Sequence, residues 1–220
     1  MRICSLLPSA TEVVAHLGLA GSLVGVSDEC DWPAEVRELP VVTASRVDPR
    51  SLTSAQIDAA VREAVAGSRS LYVLHDALLA KLAPDVILTQ DLCTVCAVSG
   101  DEAATLRPVG AEVISLNPMT LDGIAASVET LAERLGVVDR GRQVAGEMRA
   151  EIEAVRRAVD GRAIRRIFVA EWVDPPFAAG HWLPEMVTAA GGEDILGRPG
   201  GPPTPSPGTR CGNSSLSSSS

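Results

Sequence analysis

The sequence predicts an α/β protein with two open, mostly parallel-sheet lobes that one long helix joins. Three observations lead to this fold class. Strand and helix patterns alternate over residues 1–138, as expected for a parallel sheet with helices on its faces. A helical pattern then covers residues 139–159, and a new strand pattern follows at residues 166–171. The length of 220 residues has room for one large domain or two small ones.

The strands of the first lobe are short and apolar. We expect them at residues 2–7, 23–27, 40–43, 85–89 and 112–116. The run at 85–89 is nearly continuous in apolar residues, which is typical of a parallel strand covered on both faces.

The helices follow from apolar periodicity and from end signals. We expect a first helix that Ser9 and Glu12 open as a capping box and that Gly18 ends. We expect two further helices at residues 53–66 and 75–82, and a third that ends at 105–109. A helix capped by Thr120 should run to about residue 135, and another should cover residues 183–190. The helix at 139–159 is either an amphipathic surface helix or a stiff rod between two lobes.

The expected domains are an N-terminal α/β lobe over residues 1–138, an interlobe helix over 139–160, the start of a C-terminal lobe over 161–198, and a low-complexity tail over 199–220. One strand and one short helix cannot cover their own sheet, so we expect a truncated C-terminal lobe. The tail is rich in Pro, Gly and Ser, which is typical of disorder. Codons can also be chosen for it so that a neighbouring frame encodes a helix and a buried strand, which raises the hypothesis of a frameshift.

Composition excludes several classes. The net charge of −9 argues against nucleic acid as the main partner, and no apolar run is long enough for a membrane span. Four Cys in the patterned part of the chain are too few for a disulfide framework. The N-terminus shows no export signal, which predicts a cytoplasmic location for the chain as written.

Four loops at predicted strand ends are candidate binding sites, because open α/β sheets bind ligands there. The first runs over residues 7–12 and the second over 27–33, where Trp32 either packs on the core or offers a flat face to a ligand. The third runs over residues 90–96, and the fourth over 171–182 holds Trp172, Phe177, His181 and Trp182. An aromatic loop kept rigid by two prolines suits a large, partly apolar ligand.

The third loop contains the pair Cys93 and Cys96. This CxxC is a pair of ordinary thiols, a weak candidate for metal or cofactor contact, or a redox pair. Structural zinc needs about four ligands, so Cys4 and Cys30 would have to join them.

Signatures of catalysis are missing from the sequence. It has no Gly-x-Ser-x-Gly, no phosphate-binding loop and no GxGxxG after a strand. We therefore expect a protein that is not an enzyme.

Several short segments occur in an order and spacing that mark a known family. They are residues 5–12, 24–27 with 31–33, 82–87, 174–177 and 190–193, with 89–99 typical of a subgroup labelled cobalamin-binding. On these segments the chain resembles the cobalamin- and iron-siderophore-type solute-binding proteins of ABC importers. The resemblance implies two α/β lobes joined by a rigid helix, with the ligand between them.

The resemblance also implies functional residues and partners. Pro8 and Gln90 would line the N-lobe wall of the cleft, Phe177 would be an aromatic platform on the other wall, and Asp76 would approximate the N-lobe carboxylate that docks on an ABC permease. The candidate ligand-binding residues are Pro8, Ser9, Asp31, Trp32, Gln90, Asp91, Leu92, Cys93, Trp172, Phe177, His181 and Trp182.

The expected ligand is cobalamin or a related corrinoid, transported without any cofactor by a monomer. The family usually works in the periplasm or at the cell surface, so either the true start lies upstream or this subgroup works inside the cell. The alternatives are an iron-siderophore or haem-type binding protein of the same fold, and a cytoplasmic CxxC metal or redox protein.

Overall fold

The computed structural model describes residues 1–47, 51–66, 71–91, 98–106, 108 and 110–206. The strands of the N-terminal lobe are β1 (Ile3–Ser5), β2 (Leu23–Val26), β3 (Thr43–Ser45), β4 (Tyr72–Leu74), β5 (Val86–Thr89) and β6 (Glu112–Ser115). Four of them form a parallel sheet in the order β2-β1-β5-β6, and β3 and β4 form a separate antiparallel pair. This sheet confirms the predicted fold class of the first lobe.

The helices of this lobe are α1 (Pro8–His16), α2 (Ser54–Ala66), α3 (Asp76–Leu82), α4 (Gly100–Leu106) and α5 (Leu121–Arg134). Thr120 is the N-cap of α5 as predicted, and its side chain accepts a hydrogen bond from the Gly123 nitrogen at 3.0 Å. Gly18 follows the end of α1 with a φ of 79°, a conformation that glycine adopts without steric cost.

The predicted capping box at the first helix is wrong. Helix α1 begins at Pro8, its N-cap is Leu7, and no side chain caps it. Proline is favoured at the first helical position because its φ is already helical and its missing N–H would have no helical partner. Ser9 therefore lies inside the first turn.

The third strand also differs from the prediction. The antiparallel strand is β3 at Thr43–Ser45, whereas residue 41 makes only an isolated bridge to Val26. The pairing partner, β4, lies 29 residues further along the chain, so local sequence could not set this register.

The core of the lobe lies on both faces of the parallel sheet. In β5, Val86 and Leu88 pack into one buried cluster and Ile87 into the other. In β1, Ile3 packs into the cluster of Val86 and Leu88, and Cys4 packs into the cluster of Ile87. Since side chains alternate between the faces of a strand, the sheet is covered on both sides, as the apolar run at 85–89 predicts.

Helix α6 (Val138–Val159) has 22 residues and packs along α5. Its length is about 33 Å at 1.5 Å per residue. Arg149 binds Asp122 and Glu129 of α5, with 2.8 Å to an oxygen of each carboxylate. Of the helices in the part of the chain that is described, none is at once long enough and apolar enough to cross a lipid bilayer.

The elements after α6 are β7 (Arg165–Ile167), β8 (Ala170–Val173), β9 (Pro176–Ala178), α7 (Leu183–Ala189), β10 (Gly192–Asp194) and β11 (Thr204–Pro205). Strand β7 pairs with β10 in parallel, and β8, β9 and β11 form an antiparallel sheet. The single strand predicted at 166–171 is therefore two strands that belong to different sheets.

Residues 199–206 correct the expectation of a disordered tail. The nitrogen of Ser206 donates to the Pro176 carbonyl at 2.8 Å, and Gly201 accepts from the nitrogen of His181 at 2.6 Å. Gly180 permits this approach, since a Cβ there would lie 2.5 Å from the nitrogen of Pro203. A segment with little to bury is ordered here because its backbone groups pair with an open strand edge. Residues 207–220, and with them most of the segment behind the frameshift hypothesis, lie outside the described residues.

Candidate functional site

Strands β1 and β5 are neighbours in the parallel sheet, and the helices that follow them pack on different faces. The chain leaves β1 into α1, which packs with the cluster around Val86 and Leu88, whereas α4 packs with the cluster around Ile87. Helices α1 and α4 therefore lie on opposite faces of the sheet, and open α/β sheets bind ligands at the carboxyl ends of strands where the connections change face. Pro8 and Gln90 follow β1 and β5 and are half-buried, and Asp91 is exposed.

A hydrogen bond ties the loops after β5 and β6 together. The nitrogen of Asp91 donates to Oδ1 of Asn117 at 2.6 Å, and the nitrogen of Leu116 donates to the Thr89 carbonyl at 2.8 Å. Asn117 was not among the predicted site residues, and its position directly after a predicted strand was the signal that could have found it. Of the predicted residues in this region, Leu92, Cys93 and Cys96 lie outside the described residues.

Ser9 faces a different part of the surface. It lines a cavity of about 360 Å³ between α1 and α6, together with Glu12, His16 and Met148. The structure does not bring it together with Gln90, and its role in ligand binding stays a prediction.

Trp32 and Asp31 lie apart from Pro8. The Trp32 ring stacks on His16 with 5.0 Å between centroids. His16 ends α1, about 12 Å along the helix axis from Pro8. Asp31 is exposed, and its carbonyl accepts from Nε of Arg37 at 3.1 Å. A ligand role for either residue stays a prediction.

The loop after β2 is held by side-chain hydrogen bonds from the β3–β4 pair. The Thr43 hydroxyl donates to Oδ1 of Asp28 at 2.6 Å, and the Ser45 nitrogen donates to Oδ2 at 3.1 Å. Tyr72 donates to Glu29 at 3.2 Å. These acidic side chains therefore hold the loop in place.

Cys4 and Cys30 are buried thiols, and zinc binding by them stays a prediction, because Cys93 and Cys96 lie outside the described residues. Burial raises the pKa of the Cys4 thiol to about 12, and the nearby Cys30 adds to this shift. Cys30 contacts the hydroxyls of Thr11 at 3.1 Å and Ser27 at 3.4 Å. Within the described ranges, no group of three or more His, Cys, Asp or Glu side chains is placed to hold a metal.

The aromatic residues of the fourth loop form a row on the antiparallel sheet. Trp172 and Phe177 are directly paired across β8 and β9, and Pro205 of β11 is paired with Phe177 on its other side. Directly opposed residues share one face of a sheet, so the three side chains lie on the same face. The Trp172 indole donates to the Asp174 carbonyl at 2.9 Å, which ties it to the hairpin turn.

His181 and Trp182 follow this row. His181 has a φ of 50°, which is uncommon for a residue other than glycine. Its nitrogen donates to Gly201, and its carbonyl accepts from the nitrogen of Gly200 at 2.9 Å. These two bonds hold the unusual conformation. The His181 and Trp182 rings lie 5.7 Å apart and are both half-buried.

A hydrogen bond joins the N-terminal lobe to the segment that carries the aromatic loop. Oε2 of Glu185 in α7 accepts from the nitrogen of Leu121, the first residue of α5, at 2.7 Å. Trp182 immediately precedes α7, so the aromatic loop lies near the start of α5. Glu185 was not among the predicted site residues, because a single acidic residue in a short helix gives no signal of a contact 64 residues away.

Asp76, the predicted docking carboxylate, is exposed at the first position of α3. Its Oδ1 accepts from the nitrogen of Ala77 at 2.8 Å. Docking on a permease stays a prediction.

Comparison with known proteins gives relatives that are vitamin B12-binding proteins. A vitamin B12-binding protein of Vibrio cholerae serotype O1 is 26% identical over 200 residues, which are 89% of this chain and 60% of the relative. A vitamin B12-binding protein of Yersinia pestis is 27% identical over the same shares. The chain thus spans about 60% of the length of the curated relatives it matches.

Solved structures show the same fold. The periplasmic vitamin B12 binding protein BtuF of Vibrio cholerae matches with a TM-score of 0.67 and 24% identity, over 96% of this chain and 71% of that one. The periplasmic heme binding protein HutB of Vibrio cholerae matches with a TM-score of 0.68 and 17% identity, over 94% and 70%. The family model for periplasmic binding proteins matches residues 3–202. The chain therefore belongs to the periplasmic binding protein family, as the sequence resemblance predicted.

Proposed function

We propose that this chain is a solute-binding protein that takes up cobalamin or a related corrinoid between its N-terminal lobe and the segment after α6. The observation that carries the proposal is the aromatic row of Trp172 and Phe177 on one face of the β8–β9 hairpin. A corrin is broad and flat, and contact with flat apolar side chains contributes most to the binding free energy of such a ring.

The N-terminal wall supplies complementary polar groups. Gln90 is half-buried at the carboxyl edge of the sheet, beside Asp91, whose backbone is fixed by Asn117. The rim of a corrin carries amide side chains that donate and accept hydrogen bonds, as the Gln90 amide also does. Pro8 adds a rigid apolar surface at the start of α1. The names of the curated relatives agree with this ligand.

A haem or iron-chelate ligand is the second candidate. The observation that favours it is His181, a half-buried imidazole beside Trp182 in the aromatic loop. Imidazole is a common axial ligand of haem iron. Several solved neighbours with the same fold are described as heme-binding proteins.

Binding would serve transport without any chemical step, and the protein would deliver its ligand to an ABC permease outside the cytoplasmic membrane. The exposed Asp76 carboxylate would then meet an Arg of the permease in a charge-assisted contact.

Calorimetric titration of cyanocobalamin into the chain tests the proposal. We expect saturable one-to-one binding with a micromolar Kd or tighter, about −8 kcal/mol. Phe177→Ala should weaken binding at least about tenfold, because it removes the half-buried aromatic ring that the proposed ligand would contact. Phe168→Ala is the matched control, since Phe168 is the other phenylalanine and is 40% exposed outside the aromatic row. Its affinity should equal that of the unchanged chain.

The same protein is titrated with hemin while the Soret band is recorded. No heat with cyanocobalamin, together with a Soret shift that His181→Ala abolishes, would replace the corrinoid by haem. No binding of either ligand by a chain whose circular dichroism shows it to be folded would overturn the proposed site.

A further inference from the structure

We infer that Glu185 is a positioning residue that sets the spacing between the two walls of the cleft. Its Oε2 accepts from the nitrogen of Leu121 at 2.7 Å, which joins α7 to the start of α5. The effect on ligand affinity rests on the proposed function, whereas the positioning itself does not.

The start of α5 is a strong partner for a carboxylate. The first N–H groups of a helix have no acceptor within the helix, and the helix dipole favours negative charge at that end. The Thr120 side chain accepts a hydrogen bond from the nitrogen of Gly123, and the Glu185 carboxylate accepts one from the nitrogen of Leu121. Both partners are half-buried, so competition from water is reduced.

Helix α5, which donates this hydrogen bond, is itself held in place by ion pairs. Arg149 of α6 binds Asp122 and Glu129, which lie in the first and third turns of α5. Helix α5 is therefore fixed on α6. A hydrogen bond to the first residue of α5 then holds α7 at a defined distance from the N-terminal lobe.

The contact lies next to both proposed walls. Leu121 comes four residues after Asn117, which binds the nitrogen of Asp91 beside Gln90 at the N-terminal wall. Glu185 comes three residues after Trp182 in the aromatic loop. A change at Glu185 should thus alter the distance between the walls without removing any ligand contact.

Hydrogen exchange at the Leu121 amide, measured by NMR without ligand, tests the positioning. Glu185→Ala should speed exchange at least about tenfold, because a hydrogen bond to a carboxylate is lost. Glu185→Gln keeps an acceptor oxygen and should retain most of the protection. Glu193→Ala is the control, because Glu193 is an exposed acidic residue of the same segment that pairs with Arg166. It should leave Leu121 unchanged.

The Kd for cyanocobalamin is then measured for the same three variants. We expect about a tenfold weaker Kd for Glu185→Ala, near-complete rescue by Glu185→Gln, and no change for Glu193→Ala. Unchanged exchange at Leu121 in Glu185→Ala, or altered exchange with an unaltered Kd, would overturn the inference. If the unchanged chain binds no cobalamin while the exchange results hold, the proposed function fails and the contact between α7 and α5 stands.

Discussion

The N-terminal lobe and the segment after α6 both contain parallel strands, but these strands differ greatly in solvent exposure. All four residues of β5 are buried, and both faces of its sheet carry apolar clusters. All three residues of β7 are exposed. Parallel sheets are stable when both faces are covered, and the described part of the second segment does not supply that cover.

The difference shows in single side chains. Ile87 in β5 has no exposed surface, whereas Ile167 in β7 is 40% exposed and the neighbouring Ile164 is 70% exposed. Burial in the second segment is concentrated around α7 and the aromatic loop, where Ala178, Ala179 and Val187 pack. Among the described residues, the N-terminal lobe therefore has the larger and better-covered core.

The largest expected effect comes from one substitution made in both regions. Ile87→Ala should lower the free energy of unfolding by about 2–5 kcal/mol, because it leaves a cavity in a close-packed core. Ile167→Ala should lower it by less than about 1 kcal/mol, because the side chain is already partly in water. Urea unfolding followed by circular dichroism measures both. Equal losses would show that β7 is as well buried as β5.

Alkaline pH should weaken the N-terminal core specifically. The folded pKa of Cys4, about 12, lies above its ordinary value of 9.0, so the folded state holds this proton more tightly than the unfolded state. Its contribution is complete below pH 9 and is lost as the pH rises from about 9 to about 12. One pKa unit corresponds to 1.36 kcal/mol, so the loss reaches about 4 kcal/mol.

The chain also holds four other cysteines, one lysine and one tyrosine, so a Cys4→Ala variant is needed to isolate the contribution of Cys4. Urea unfolding at several pH values, under reducing conditions, gives the slope of stability against pH. Cys4→Ala should flatten this slope between pH 9 and 12, even if it lowers stability at neutral pH. The same slope in both proteins would refute the assignment.

The smallest effect should come from the ion pairs that hold α6 on the N-terminal lobe. The hydrogen bond from Arg149 holds the pKa of the Glu129 carboxyl below its ordinary value. Because Arg149 and Glu129 are only half-buried and Asp122 is exposed, water screens these ion pairs, so Arg149→Met should lower stability only slightly, and the difference should shrink in high salt. Arg156→Met is the control, since Arg156 pairs with Glu153 inside α6 alone. Thermal unfolding at two salt concentrations compares them, and a salt-independent loss would point to packing.

Local signals in the sequence were sufficient for much of the fold. The Thr120 cap, the Gly18 end signal and the apolar run at 85–89 each depend on residues within one turn or one strand, so they could be recognised without tertiary information. The capping box at Ser9 failed because two local signals competed at one helix start, and Pro8 supplied the stronger one.

The site was less predictable than the fold. Aromatic composition and strand ends marked the loops at 7–12, 90–96 and 171–182 as candidates. Pro8 and Gln90 were singled out within them by the family resemblance, and their roles in ligand binding stay predictions. Trp32 shows the limit of that reasoning, because its ring stacks on His16 at the far end of α1. The position of a residue after a strand places its backbone near the sheet edge. The contacts of its side chain depend on which other parts of the folded chain lie beside it.

The sequence by itself determined the type and order of most elements of the N-terminal lobe and the family to which the chain belongs, because periodicity, caps and short segments are local properties. Only the tertiary structure decided the order of residues 199–206, the placement of Trp32 and the contact of Glu185 with Leu121. Those three depend on backbone edges, ring surfaces and helix ends that distant parts of the chain present, and such partners exist only after the chain has folded.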